Sequence, residues 1–167
     1  MKATFSMFAM LLLASAVITH AQQASTTPAA TSYVWHAELV SFDQAAKTIT
    51  LKTQIVGETP TELKNFKAGD RVILHWSGFD NSANGVRGVM KYDAAQSAKE
   101  PFLLPVELVS PTPQNDYITI KLHAPDAAAA SLKAVKPGEW VTVTSKHRPA
   151  GDADVIVAIR PYVHTQS

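Results

Sequence analysis

The feature that most constrains this chain's fold is an internal repeat. Displaced by 69 positions, residues 36–92 align with 105–161 without a gap, and 12 of the 38 positions between 37–74 and 106–143 are identical. The identities begin with Glu38-Leu39-Val40-Ser41 against Glu107-Leu108-Val109-Ser110 and continue through Ile49, Thr50, Lys52, Leu63, Lys64, Lys67, Gly69 and Val72 with their partners. A period of this length in a chain of 167 residues points to two copies of one supersecondary unit.

Each copy reads as strand, strand, short helix, strand, strand. "HAELVSF", "KTITLKT", "DRVILHW" and "GVRGVMK" in the first copy, and "PVELVS", "YITIKL", "EWVTVTS" and "DVIVAIR" in the second, alternate β-branched and apolar residues with polar ones. Between the second and third strands, Thr59 with Pro60 and Glu62 forms a capping-box pattern, and Asp126 heads the helix-forming run "DAAAASLKAV". Gly69 and Gly138 then supply the positive φ that a turn into the third strand requires. Four short antiparallel strands cannot bury a face alone, so each unit must curl into a small barrel or pack on its twin. The expected fold is mainly β: two tandem four- to five-stranded antiparallel small barrels, each with one short helical turn. The sequence leaves open whether these are separate barrels or one fused sheet system.

The recurring charges have a structural explanation. If the first two strands pair around "DQAAK", Leu39 faces Leu51 and Ser41 faces Ile49 on one side, while Glu38 faces Lys52 and Val40 faces Thr50 on the other. The same pairing in the second copy puts Glu107 opposite Lys121 and Leu108 opposite Ile120. These become register-fixing ion pairs on an outer face.

The first residues, "MKATFSMFAMLLLASAVITHA", combine Lys2, an apolar run of about 14 residues and a small-residue cleavage context. The run falls short of the roughly 20 residues that cross a bilayer. The expected organisation is a signal peptide at 1–21, a flexible leader at 22–32 and the first repeat at 33–94. A linker at 95–102, the second repeat at 103–164 and a tail at 165–167 complete it. The address is periplasmic or secreted, with no stable membrane insertion after cleavage. Without a cysteine, neither a lipid-modified cysteine nor a disulfide is available, and the core alone must stabilise the mature chain. Removing 1–21 takes one of the 15 basic residues and no acidic one, leaving 14 against 14. That balance argues against a nucleic-acid partner, which would want a basic stripe.

No catalytic set emerges. There is no G-x-S-x-G elbow, and Glu38, Glu62 and Glu107 serve a carboxylate hydrolase only if the fold converges them across an open cleft. The mature histidines, His36, His75, His123, His147 and His164, form no zinc spacing. His36, His75 and His123 are the candidate metal ligands, should strands bring them together. In "DNSANG", Asp80, Ser82, Asn84 and Gly85 match the start of a calcium loop, but Lys91 stands where the bidentate glutamate is needed, so the stretch reads as a turn. Asp152 and Asp154 read as a solvated hairpin tip. Trp35, Trp76 and Trp140 are the candidate ligand surface.

With its strands and the step "L-K-x-x-K-x-G-D/E-x-V" in place, each copy resembles the small exported bacterial β-barrel domains of the OB-like type, whose function is unknown. The pattern is also distantly similar to periplasmic copper-binding efflux metallochaperones. In that branch a histidine after the second strand, a tryptophan and a Met-x-Met pair supply soft ligands for Cu(I). Only His123 falls near such a position, shifted by one residue, and no Trp or Met-x-Met follows in either copy. The expectation is therefore a non-enzymatic exported binding or interaction module for a protein or small ligand, with no cofactor and with edge strands able to pair as a homodimer. A histidine metal site and a carboxylate hydrolase are the alternatives.

Overall fold

Strict alternation of inward apolar and outward polar residues turns the central segments into half-buried strands. In "TITLKTQ", Ile49, Leu51 and Thr53 are buried while Thr48, Thr50 and Lys52 face outward; in "YITIKLH", Ile118, Ile120 and Leu122 do the same. The structure, a computed structural model, describes residues 32–76, 85–97, 99–149, 153 and 155–163. Its strands are β1 (Ser32–Asp43), β2 (Thr48–Gln54), β3 (Arg71–Trp76), β4 (Val86–Lys91), β5 (Leu103–Gln114), β6 (Tyr117–His123), β7 (Trp140–Lys146) and β8 (Ile156–Pro161). Short helices α1 (Thr59–Glu62), α2 (Ala94–Ser97) and α3 (Asp126–Leu132) lie between them, α1 running into a 3-10 turn at Leu63–Asn65.

All eight strands join one antiparallel sheet in the order β4-β3-β5-β6-β2-β1-β7-β8. The mainly β class holds, and the choice between separate barrels and a fused sheet resolves as the latter. The order reads the same from either end when β1–β4 are exchanged with β5–β8. At its centre β2 runs antiparallel to β6 with Leu51 opposite Ile120, the residue 69 positions on, so a local two-fold axis passes through that pair. Strand β3 pairs with β5, and β7 with β1, so the third and fourth strands of each half extend the first strand of the other. The cause is strand length. β1 and β5 run 12 residues against 7 for β2 and β6, leaving backbone that only another strand can satisfy. One parallel bridge, Ile55 with Val86, returns β4 to the end of β2, so β4, β3, β5, β6 and β2 form a five-strand ring drawn from both halves.

Glu38 pairs with Lys52 and Leu39 with Leu51 as expected, and Glu107 with Lys121 and Leu108 with Ile120. Beyond them the expected register breaks. A bulge at Val40 sets Ser41 opposite Thr50 rather than Ile49, and Val109 bulges at the equivalent place. The offset between halves also grows from 69 to 70: Trp76 pairs with Val86 and Ser145 with Ile156.

The helix caps differ from the sequence reading. Thr59 is fully buried inside α1, its hydroxyl 2.8 Å from the Val56 carbonyl and 3.0 Å from that of Val86, while Glu62 Oε2 accepts the Val89 N–H at 2.7 Å. Both side chains tie the helix to edge strand β4 instead of capping it. In α3 the cap position is Pro125, and Asp126 pairs with Lys47 at 2.8 Å across the adjacent hairpin. Gly69 and Gly138 do hold positive φ, +87° and +89°, and their N–H groups donate to Leu108 and Leu39 of the opposite halves.

A single apolar core fills the inner face. Trp35 and Trp76 pack together in it, centroids 4.8 Å apart and planes tilted by 43°, and Trp35 Nε1 donates to Ser145 Oγ at 2.9 Å. Beside them Tyr33 meets Phe102 edge-on at 5.4 Å, and burial pushes the Tyr33 phenol far above its ordinary pKa.

Candidate functional site

Outward side chains on paired antiparallel strands line up in transverse rows. Two such rows, related by the local two-fold axis, run side by side across β2 and β6. The first reads Thr119, Lys52, Glu38, Trp140 and then Tyr162, whose N–H donates to the Trp140 carbonyl. The second reads Thr50, Lys121, Glu107, Arg71 and then Tyr92. Every place holds the same residue type except one, where Trp140 stands against Arg71.

The Trp140 row is aromatic and open. Trp140 is 38% exposed, Tyr117 meets it edge-on at 6.3 Å, and Lys52 Nζ lies 5.4 Å from the Tyr117 centroid. Lys52 also reaches Glu38 at 3.5 Å. One step along β1, His36 packs edge-on against Tyr162 at 4.6 Å and lies 3.3 Å from Thr142 Oγ1. Partial burial lowers the His36 pKa, so the neutral ring is favoured at neutral pH. Val34, on the same face, is 42% exposed.

The Arg71 row is charged and flanked by covered surface. Arg71 lies over the Tyr92 ring at 4.0 Å, and Lys121 pairs with Glu107 at 2.6 Å. Ile73 and Leu103, pointing away from the core in β3 and β5, are nonetheless fully buried. Beside them lies a cleft of about 220 Å³ lined by Thr48, Arg71, Pro105, Val106, Glu107, Lys121, Leu122 and His123.

Of the three tryptophans, only Trp140 presents a surface. Trp35 and Trp76 are buried against each other, because odd-numbered positions of β1 and even-numbered positions of β3 point into the core. The three candidate metal ligands are not brought together. His36 sits over β7, and His123 ends β6 in the charged cleft. His75, on β3, has Nε2 3.0 Å from an Arg87 nitrogen, and burial, then Arg87, lowers its pKa. Among the described residues no three His, Asp or Glu side chains gather into a metal-binding group. Glu38 and Glu107 each pair with a lysine and Glu62 holds β4. Asp80, Ser82, Asn84, Asp152, Asp154 and His164 lie outside the described residues, as do 1–31; Gly85 is buried beside the Gln54 carbonyl. Sequence reasoning missed Tyr117, Tyr162, Arg71 and Tyr92. Tyr162 and Tyr92 correspond at the offset of 70, which an ungapped comparison hides.

No family model, no curated protein and no solved structure matches this chain.

Proposed function

We propose that the protein is an exported, non-enzymatic binding module, built by duplication of a four-strand unit, that holds its ligand against the outer sheet face around Trp140. One observation carries this reading: a tryptophan exposed on a rigid strand, flanked by Tyr117, His36 and Tyr162 and bordered by the Glu38–Lys52 pair. Exposed aromatics with a polar rim are the composition of binding hot spots, since ring burial is strongly favourable and the two χ angles lose little entropy. Export is supported by the apolar run and cleavage context of 1–21, and duplication by the identities and by the symmetric strand order. Among the described residues no helix is long and apolar enough to cross a membrane.

Tryptophan emission tests the reading, because Trp35 and Trp76 are shielded and Trp140 alone is exposed. The mature chain is titrated with soluble glycans, amino acids and short peptides. A saturable change in emission that Trp140→Ala abolishes, with melting temperature preserved, is the expected result. Steady turnover of a glycan or ester that Glu38→Gln removes replaces the module with an enzyme. A copper- or zinc-induced rise in melting temperature, lost on changing His36 to Ala, replaces it with a metal-binding protein.

A further inference from the structure

The two edge strands of the sheet are sealed differently. β4 and β8 end the strand order, and each is packed by the helix of its own half, α1 on β4 and α3 on β8. We infer that α3 is a releasable cover: α3 and β8 open together from the folded chain and free the β8 edge, while α1 and β4 stay closed.

At β4, groups of the first half hold the outward backbone. The Val86 carbonyl accepts the Val56 N–H at 2.7 Å and the Thr59 hydroxyl at 3.0 Å, and Glu62 Oε2 accepts the Val89 N–H at 2.7 Å. Displaced by 69 positions, Val56, Thr59 and Glu62 become Pro125, Ala128 and Ser131. Proline has no N–H, alanine has no hydroxyl, and the serine side chain ends two carbons short of a glutamate carboxylate. The bridge from Ile55 to Val86 accordingly has no counterpart at Ala124 among the described residues.

The backbone of β8 is oriented as that of β4 is. Tyr162 N–H donates to the Trp140 carbonyl and Lys146 N–H to that of Val155, so by antiparallel alternation Ile159 and Ile156 turn their N–H and C=O groups away from β7. These residues are the counterparts of Val89 and Val86 at the offset of 70, and both are buried. Their edge lacks all three of the partners that seal β4, and a buried backbone group without a partner favours opening to water. What holds α3 is the burial of Ala128 and Leu132, with Val135 just beyond, and the Lys47–Asp126 pair, whose side chains are 52% and 80% exposed. An ion pair so exposed adds little. Units with few such ties are the ones that open below the global unfolding free energy. β8 leads directly to Tyr162, which borders Trp140, so the strand that opens flanks the aromatic face. The inference stands apart from the ligand reading of that face.

Amide hydrogen exchange followed by NMR on the mature full chain tests it. The probes are the amides that face the neighbouring strand, Ala158 and Arg160 in β8 against their counterparts Gly88 and Met90 in β4. Protection about tenfold or more weaker at Ala158 and Arg160 is expected, since roughly one hydrogen bond's net stability corresponds to that factor, and α3 should be weaker than α1 by the same measure. Fraying near the end of the chain would give the same ranking, so the seals are exchanged between the halves. Ala128→Thr with Ser131→Glu should raise the protection of Ala158 and Arg160. Thr59→Ala with Glu62→Ser should lower that of Gly88 and Met90 and leave β8 as it was. Circular dichroism melts check that each variant folds, and if the first does not, the second decides. Equal protection of the two edges in the wild type overturns the proposal, as does a β4 edge that keeps its protection without Thr59 and Glu62.

Discussion

The two outer faces share a strand framework, an ion pair and a terminal tyrosine, yet one is open and aromatic and the other covered and charged. Leu103 is fully buried where its counterpart Val34 is 42% exposed, and Arg71 over Tyr92 replaces Trp140 beside Tyr117. The segment after β4 continues through α2, which contacts β5, the strand that carries Leu103. A two-fold arrangement of strands thus carries unlike outer surfaces, and the core beneath them is unlike too: Tyr33, Trp35 and Trp76 stand where the other half has Phe102, Leu104 and Ser145.

The largest effects are expected in that core. Trp35→Ala removes a ring packed against Trp76 and the hydrogen bond to Ser145, and should cost about 3–5 kcal/mol in chemical denaturation. Leu104 occupies the equivalent place in the second half and is also fully buried, so Leu104→Ala should cost about 2–5 kcal/mol. Both changes should lower a single cooperative transition, because both side chains belong to one core. Two separate transitions would show that the halves fold as independent units.

Next in size is the contrast between the faces. Leu103→Ala should cost about 2–5 kcal/mol, since the side chain is fully buried. Val34→Ala should stay within about 0.5 kcal/mol, as for other surface changes. Equal costs at these two positions would mean that Val34 is covered in solution, by a ligand or a second copy, and would move the comparison from covered versus open to covered twice.

Much of this fold is legible in the sequence because its periodicities are local. Alternation along β2 and β6 identified their inward faces, and the repeated Glu and Lys identified a cross-strand pair without reference to the rest of the chain. The exchange of third strands was not legible: β7 contacts β1 across more than 100 positions, and nothing in either segment distinguishes its own twin from the other. The bulges at Val40 and Val109 were hidden because an alternating pattern reads the same until a residue is skipped. For the site, Trp140 was indistinguishable from Trp35 and Trp76 by type. Parity along the strand separates them, and parity depends on a register that only the β1–β7 pairing sets.

A smaller effect should come from the histidines. Burial lowers the pKa of His36 and, reinforced by Arg87, that of His75, while unfolded histidine titrates near 6.5. Below pH 6.5 the unfolded chain therefore takes up more protons than the folded one, and stability should decline as pH falls from 6.5 through the folded values. Well above 6.5 both states are neutral and the slope vanishes. His75→Gln should flatten the decline by removing the group under Arg87, and His36→Gln by removing the one on the aromatic face. Unchanged pH slopes of the melting temperature in both variants would assign the decline to other groups.

The smallest expected effect separates the two faces most directly. The Glu38–Lys52 and Glu107–Lys121 pairs occupy equivalent positions, and all four side chains are between 30% and 37% exposed, so each pair should contribute about 0.2–1 kcal/mol in a double-mutant cycle. Their surroundings differ. Glu107 has Arg71 as its other cross-strand neighbour, whereas Glu38 has the uncharged Trp140. Removing Lys121 therefore leaves Glu107 beside a second cation, while removing Lys52 leaves Glu38 without a cation across either paired strand. Lys52→Met should consequently destabilise more than Lys121→Met, although the contact of Lys121 is the shorter, 2.6 Å against 3.5 Å. Raising the salt concentration should shrink the difference, since partly exposed charges are screened. If Lys121→Met proves the costlier change, pair geometry outweighs the neighbouring charge, and Arg71 is not held by Glu107.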